Sequence, residues 1–183
     1  MNLATSSRRG RTMSALDLSR LLLRLLGATA FASACACLLA AHLIWNWTPS
    51  LPLGLYWLSR GTLPPAALPG ALVAFPVPGG VRDLVRERRY LPPGAMLVKR
   101  VVAMPGDRVC AEGTTLTVNG DPLGTILTED SAGRPLPHDE RCGPLPEGSV
   151  YVASHFAKSF DSRTFGPVRT SDIRGTVTPL WTY

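Results

Sequence analysis

Lysine is nearly absent from this chain. Of nineteen basic residues, seventeen are arginine, and only Lys99 and Lys158 are lysine. Acidic residues are scarce in the first segment: five arginines (Arg8, Arg9, Arg11, Arg20, Arg24) face the single Asp17 before residue 25, so that segment holds +4 of the formal +6. Residues 25–183 are close to neutral, which excludes the nucleic-acid binder, where basic groups cluster on the folded domain. No Cys/His spacing resembles a zinc site, no cofactor is implied, and no internal repeat is visible. Uninterrupted stretches are also few. Seventeen glycines and seventeen prolines in 183 residues leave little room for long helices and favour short strands and turns.

Formal charge is missing altogether from Leu25 to Trp45, LLGATAFASACACLLAAHLIW. Twenty-one helical residues would span about 32 Å, enough for a bilayer core of ~30 Å. Trp45 and Trp47 stand where an interfacial aromatic belt would lie, and His42 reads as an interfacial residue, not a ligand. The expected organisation is a basic cytoplasmic tail (1–24), a transmembrane helix (25–45) in contact with inner-membrane lipid, and an outer domain (46–183) in the periplasm of a Gram-negative cell. A cleaved signal peptide with Ala34-Cys35-Ala36 as its small-x-small site stays open as an alternative, as does a start at Met13. A lipoprotein site at Cys35 and a twin-arginine signal at Arg8-Arg9 fit less well. Cys35 and Cys37 act as small apolar residues of the span. Cys110 and Cys142 are an even pair in an oxidising compartment and read as a disulfide worth about 3–4 kcal/mol, the alternative being two buried thiols.

Along the outer domain, Pro49 and Pro52 keep residues 46–59 extended and Pro-punctuated. Strands are expected at Gly70–Phe75, Leu97–Met104, Ser149–Ala153 and Ile173–Leu180. A hairpin is expected over Thr114–Val118, Asn119-Gly120 and Asp121 onward. Residues 79–94 read as a solvated excursion or short helix, 128–146 as a polar loop and 159–166 as a turn region. Together these predict an all-β domain of coiled sheets or a partial barrel.

Lys99 lies inside the apolar run LVKRVV. Strand alternation puts one of Lys99 and Arg100 inward, and an inward Arg100 paired with an acid is the plainer option. Chemistry favours Lys99. Burial strips a lysine of its proton, whereas arginine effectively never loses its own. A neutral amine could serve as base for a serine, which is unreactive alone. Ser50, held between Pro49 and Pro52, is the candidate. No histidine is placed for a Ser–His–Asp arrangement.

Thr48-Pro49-Ser50-Leu51-Pro52, then Leu97 to Asp107, then Ser159-Phe160-Asp161-Ser162-Arg163 occur in that order, and together they resemble the boxes of type I signal peptidases. Pro52-Leu53-Gly54-Leu55-Tyr56-Trp57 and Phe165-Gly166-Pro167 look more like the conjugative-transfer, TraF-type branch. The resemblance runs from Trp47 to Val177 and implies a mainly β, coiled-sheet fold with one membrane anchor. It also implies a serine endopeptidase with a Ser–Lys dyad: Ser50 as nucleophile and Lys99 as general base. Thr48 would join the Ser50 amide in the oxyanion hole, Ser159 would orient the lysine, and Asp161 and Arg163 would pair beneath the site, where the alternative is a surface salt bridge. The implied partner is an exported precursor, a pilin-like subunit, with other transfer-apparatus proteins as possible company. Cleavage could end in hydrolysis or in cyclisation. Two departures stand out: Ala153-Ser154-His155-Phe156 replaces the usual Gly-Asp-Asn, and the span from Asp107 to Ser149 is short. Two other functions remain open, a housekeeping signal peptidase and a non-catalytic, membrane-tethered module of envelope assembly.

Overall fold

The computed structural model describes residues 14–61 and 69–183. Arg8, Arg9, Arg11 and the alternative start Met13 lie outside them. The chain divides into two compact units, one ending at Ala41 and the other running from His42 to Tyr183.

The first unit is a helix, α1, Ala15–Ala40. Ser14 caps it. Its side-chain oxygen accepts the Asp17 amide at 3.2 Å while its hydroxyl donates to the Asp17 carboxylate at 2.7 Å, and an acid in the first turn suits the positive end of the helix dipole. None of its side chains is buried. Among the described residues it is the one helix long and apolar enough to cross a membrane. It starts ten residues before the uncharged stretch 25–45 and stops five residues before that stretch ends. Absence of charge marks what lipid tolerates, whereas helix ends are set by caps and competing backbone partners. Ser14 provides the cap at one end, and pairing with a neighbouring strand captures Leu43–Asn46 at the other.

The second unit is mainly β. Its strands are β1 (Leu43–Asn46), β2 (Gly54–Arg60), β3 (Leu72–Pro76), β4 (Met96–Ala103), β5 (Arg108–Glu112), β6 (Thr115–Val118), β7 (Asp121–Thr125), β8 (Cys142–Pro144), β9 (Ser149–Ala153), β10 (Val168–Arg169) and β11 (Gly175–Thr182). The short helices α2 (Arg82–Glu87) and α3 (Ser162–Phe165) interrupt them. A seven-stranded sheet runs β1-β2-β11-β3-β4-β9-β10 and a four-stranded sheet runs β7-β6-β5-β8, with antiparallel neighbours throughout.

Local chemistry accounts for the turns. Asn119 (φ 53°) and Gly120 (φ 91°) take the left-handed conformation that a two-residue hairpin turn demands, and so join β6 to β7. Asp107 ends the long β4 region by accepting the Met104 amide at 2.7 Å and the Asn119 side-chain amide at 2.8 Å. β5 was not anticipated from sequence. It forms because it pairs with β6 on one edge and β8 on the other, and the Cys110–Cys142 disulfide joins β5 to β8. β8 is a short strand inside the expected loop 128–146.

β4 determines the site. Leu97, Lys99 and Val101 alternate onto one face, that of the core built from Val73, Phe75, Val150, Val152, Val168 and Ile173. Val98 points the other way, into a second core with Ile44, Tyr56, Leu58, Ala74 and Val177. A third core, around Val109, Leu116, Ile126, Leu145 and Tyr151, ties the small sheet to the end of β4 at Ala103.

Candidate active site

Ser50 lies in the turn between β1 and β2, whose base is closed by the Asn46–Gly54 pair. The turn is built by side chains because its prolines cannot donate. The Asn46 carboxamide nitrogen is 3.0 Å from the Thr48 carbonyl and 3.1 Å from those of Leu51 and Pro52. The Tyr56 hydroxyl donates to the Pro52 carbonyl at 2.7 Å, and the Ser154 hydroxyl donates to the Ser50 carbonyl. Thr48 Oγ1 is 3.1 Å from Ser50 Oγ.

Lys99 faces Val73 across the β3–β4 ladder. Its amine is 2.5 Å from Ser50 Oγ and 3.0 Å from Ser159 Oγ. Lys99 is 2% exposed and Ser50 7%. Burial pushes the lysine from its ordinary 10.5 down to about 8; the Asp161 carboxylate resists this and the Arg163 guanidinium adds to it. An amine that sheds its proton near neutrality can give an N–H to Ser159 and accept the Ser50 O–H on its lone pair. Arg100 is the other residue of the alternating pair. It is only half-buried and donates to the Gly70 carbonyl at 2.6 Å, not to an acid.

Asp161 and Arg163 form a buried, two-pronged pair: Arg163 Nε to Asp161 Oδ1 at 2.9 Å and Nη2 to Oδ2 at 2.8 Å. With exposures of 0% and 3%, this is not a surface salt bridge. Asp161 also caps α3 by accepting the Arg163 amide, and it accepts the Ser154 amide. Arg163 in turn donates to the Ser154 and Phe156 carbonyls. The pair thus fixes the Ser154–Phe156 segment that touches Ser50.

Of the residues singled out in the sequence, Thr48, Ser50, Lys99 and Ser159 come together within hydrogen-bonding distance, and Asp161 and Arg163 connect to them through Ser154. Cys110 and Cys142 lie apart, in the small sheet. They and Glu112 are the one grouping of metal-ligand types among the described residues, but both sulfurs are engaged in the disulfide. Sequence reasoning missed Asn46 as an organiser and noted Ser154 only as a departure from the family pattern. The available signal for Asn46 was a poor strand former on the inward register of Ile44. A cavity of about 210 Å³ opens on Ser50 and Lys99, lined also by Thr48, Leu97, Ser159 and Phe160. Larger cavities of about 540 and 730 Å³ adjoin it, and Tyr90 borders all three.

This arrangement can be set beside known proteins. Residues 16–181 match the family described as signal peptidase, peptidase S26. The plasmid transfer protein TraF of Escherichia coli is 35% identical over 182 residues, covering 91% of this chain and 100% of that protein. The conjugal transfer protein TraF of Agrobacterium tumefaciens (strain 15955) is 34% identical over 172 residues, 90% of this chain and 97% of that one. Signal peptidase I V of Bacillus subtilis (strain 168) is 32% identical over 97 residues, 47% and 58% of the two chains.

Proposed function

The chain belongs to the signal peptidase, peptidase S26, family, and from that premise we propose that it is a membrane-anchored serine endopeptidase of conjugative transfer that processes an exported, pilin-like precursor. The observation that carries the reading is the Lys99 amine 2.5 Å from Ser50 Oγ, with both groups buried. In the proposed mechanism Ser50 attacks the scissile carbonyl after a small residue while neutral Lys99 takes its proton. The oxyanion forms between Thr48 Oγ1 and the Ser50 amide. The protonated amine then gives its proton to the departing nitrogen, leaving an acyl-enzyme. Water, activated by the same amine, releases the acid. An amine of the precursor taking the acyl group instead would close a ring with no water added.

The TraF names of two relatives support a role in conjugation. The apolar helix α1 supports an anchor, with the arginine-rich segment that runs into its first turns, up to Arg24, on the cytoplasmic side and the β unit in the periplasm. Confinement of enzyme and precursor to one membrane plane would raise their effective concentration. Co-expression with a candidate pilin precursor, followed by intact-mass analysis, tests the reading. The parent protein should give a trimmed product, and Ser50→Ala and Lys99→Arg none. Arginine keeps the charge but cannot release the proton, so normal processing by Lys99→Arg would end the Ser–Lys proposal. A product lighter by one water than the linear fragment would show cyclisation.

A further inference from the structure

We infer that Asn46 is a positioning residue for the oxyanion hole, acting through Thr48 and the Ser50 amide without touching substrate. The inference rests on the Ser50–Lys99 reading above. Asn46 is the last residue of β1 and is 6% exposed, on the same face as the apolar Ile44. A core position of this kind is served by an aliphatic side chain, and a buried carboxamide is tolerated only when fully partnered. Both ends of this one are engaged. Its nitrogen serves the carbonyls of Thr48, Leu51 and Pro52, two hydrogens shared among three acceptors. Its oxygen receives the Thr48 amide and the Thr48 hydroxyl, each at 3.3 Å.

The consequence is a turn with its carbonyls drawn away from the nucleophile. Asn46 holds those of residues 48, 51 and 52, and the Ser154 hydroxyl holds that of Ser50. The Ser50 amide is left without an acceptor among the described residues. A free amide beside a nucleophilic hydroxyl is the donor a developing oxyanion requires. Thr48 supplies the second donor. Its single hydroxyl proton lies between Asn46 Oδ1 at 3.3 Å and Ser50 Oγ at 3.1 Å, so it can turn to the oxyanion while the bond from the Thr48 amide to Asn46 keeps the backbone in place. Without Asn46, the Thr48 and Leu51 carbonyls and the Thr48 amide would need new partners, the Pro52 carbonyl keeping only the Tyr56 hydroxyl, and the turn would relax at the point where sub-ångström placement matters.

The test uses the full-length, detergent-solubilised protein and an internally quenched peptide with alanine before the scissile bond. Asn46→Ala and the equal-sized Asn46→Asp, which sets an oxygen against the same carbonyls, should each lower kcat by about 10²-fold or more and move KM less than about threefold. Thr48→Val should act similarly. The Asn46→Ala, Thr48→Val double variant should fall no more than about threefold below the weaker single variant, because both remove one device. The inference is overturned if both Asn46 variants stay within about fivefold of the parent, if the loss lies in KM, or if the two substitutions multiply. It is also overturned if neither Asn46 variant gives a cooperative thermal transition, which would make the residue a requirement of folding. Ser50→Ala separates the two levels. Undiminished cleavage by that variant removes the underlying reading, whereas an inactive Ser50→Ala beside fully active Asn46 variants removes this inference alone.

Discussion

Raising the pH from 7 to 9 should speed peptide cleavage about tenfold and then level off. In the proposed mechanism the base is the neutral amine of Lys99, which burial brings to about 8. About a tenth of the molecules then hold it neutral at pH 7 and about nine-tenths at pH 9. A solvated lysine at its ordinary 10.5 would predict a steeper climb, about a hundredfold over the same range, with no plateau before pH 10. The assay is kcat/KM for the quenched peptide across pH 6–10.5 at constant ionic strength, which reports the free enzyme. The same titration should appear in stability. Because the folded lysine releases its proton more readily than the unfolded one, the unfolded chain holds the extra proton between pH 8 and 10.5. Stability therefore rises with pH through that window, by about 3 kcal/mol in all, and that gain is absent below pH 8, where the fold buries a charge. Lys99→Met should accordingly be inactive yet more stable than the parent at pH 7. A rate flat from pH 7 to 9, a rate still climbing at pH 10, or a Lys99→Met protein less stable than the parent at pH 7 would each refute the buried neutral amine.

Three further outcomes follow from the packing. Arg163→Ala leaves the Asp161 carboxylate buried without its partner and should cost about 3–5 kcal/mol, read by thermal or urea unfolding. In whatever fraction still folds, the rate inflection should move to higher pH, since Arg163 helps hold the Lys99 amine down. The Cys110→Ser, Cys142→Ser variant should lose about 3–4 kcal/mol of stability with kcat unchanged, because the bridge lies in the small sheet and touches none of the reacting groups. Gly54→Ala should lose more than about 1 kcal/mol: Gly54 has φ 138°, and an added Cβ would lie 2.1 Å from the Trp181 carbonyl oxygen.

Much of the fold was legible because its signals are local. Asn119-Gly120 declared its hairpin through backbone conformations few other residues adopt, and the apolar runs at 97–104 and 149–153 became β4 and β9 within a residue or so. What stayed hidden depends on partners distant in sequence. Arg-Val-Cys-Ala-Glu has no strong pattern alone and becomes β5 only between two neighbours. Leu43–Asn46 reads as a continuation of the apolar span until β2 offers it a ladder. Pairing energy of that kind is invisible to any window along the chain.

The site divides along the same line. Ser50 and Lys99 could be put forward as candidates because their chemistry is intrinsic to the residue type. A chain that uses arginine at seventeen of nineteen basic positions and places a lysine among Leu97, Val98, Val101 and Val102 has singled out the cation that can become neutral. Asn46 and Ser154 could not be named as organisers in that way, because asparagine and serine declare no role until their partners are known. Their function lies in which carbonyls they reach, and those belong to a turn whose shape they themselves create. The same reasoning orders the substitutions. Exchanging Lys99 for arginine should abolish the reaction with the turn intact, whereas exchanging Asn46 should leave the base and nucleophile chemically competent but poorly placed. Asn46→Ala should therefore keep the parent's inflection near pH 8 at a reduced plateau, since it adds no charge and leaves the burial of the Lys99 amine and its Asp161 and Arg163 neighbours in place. An inflection displaced by a full pH unit in Asn46→Ala would mean that the residue acts on the base, and the division between chemistry and placement drawn here would not hold.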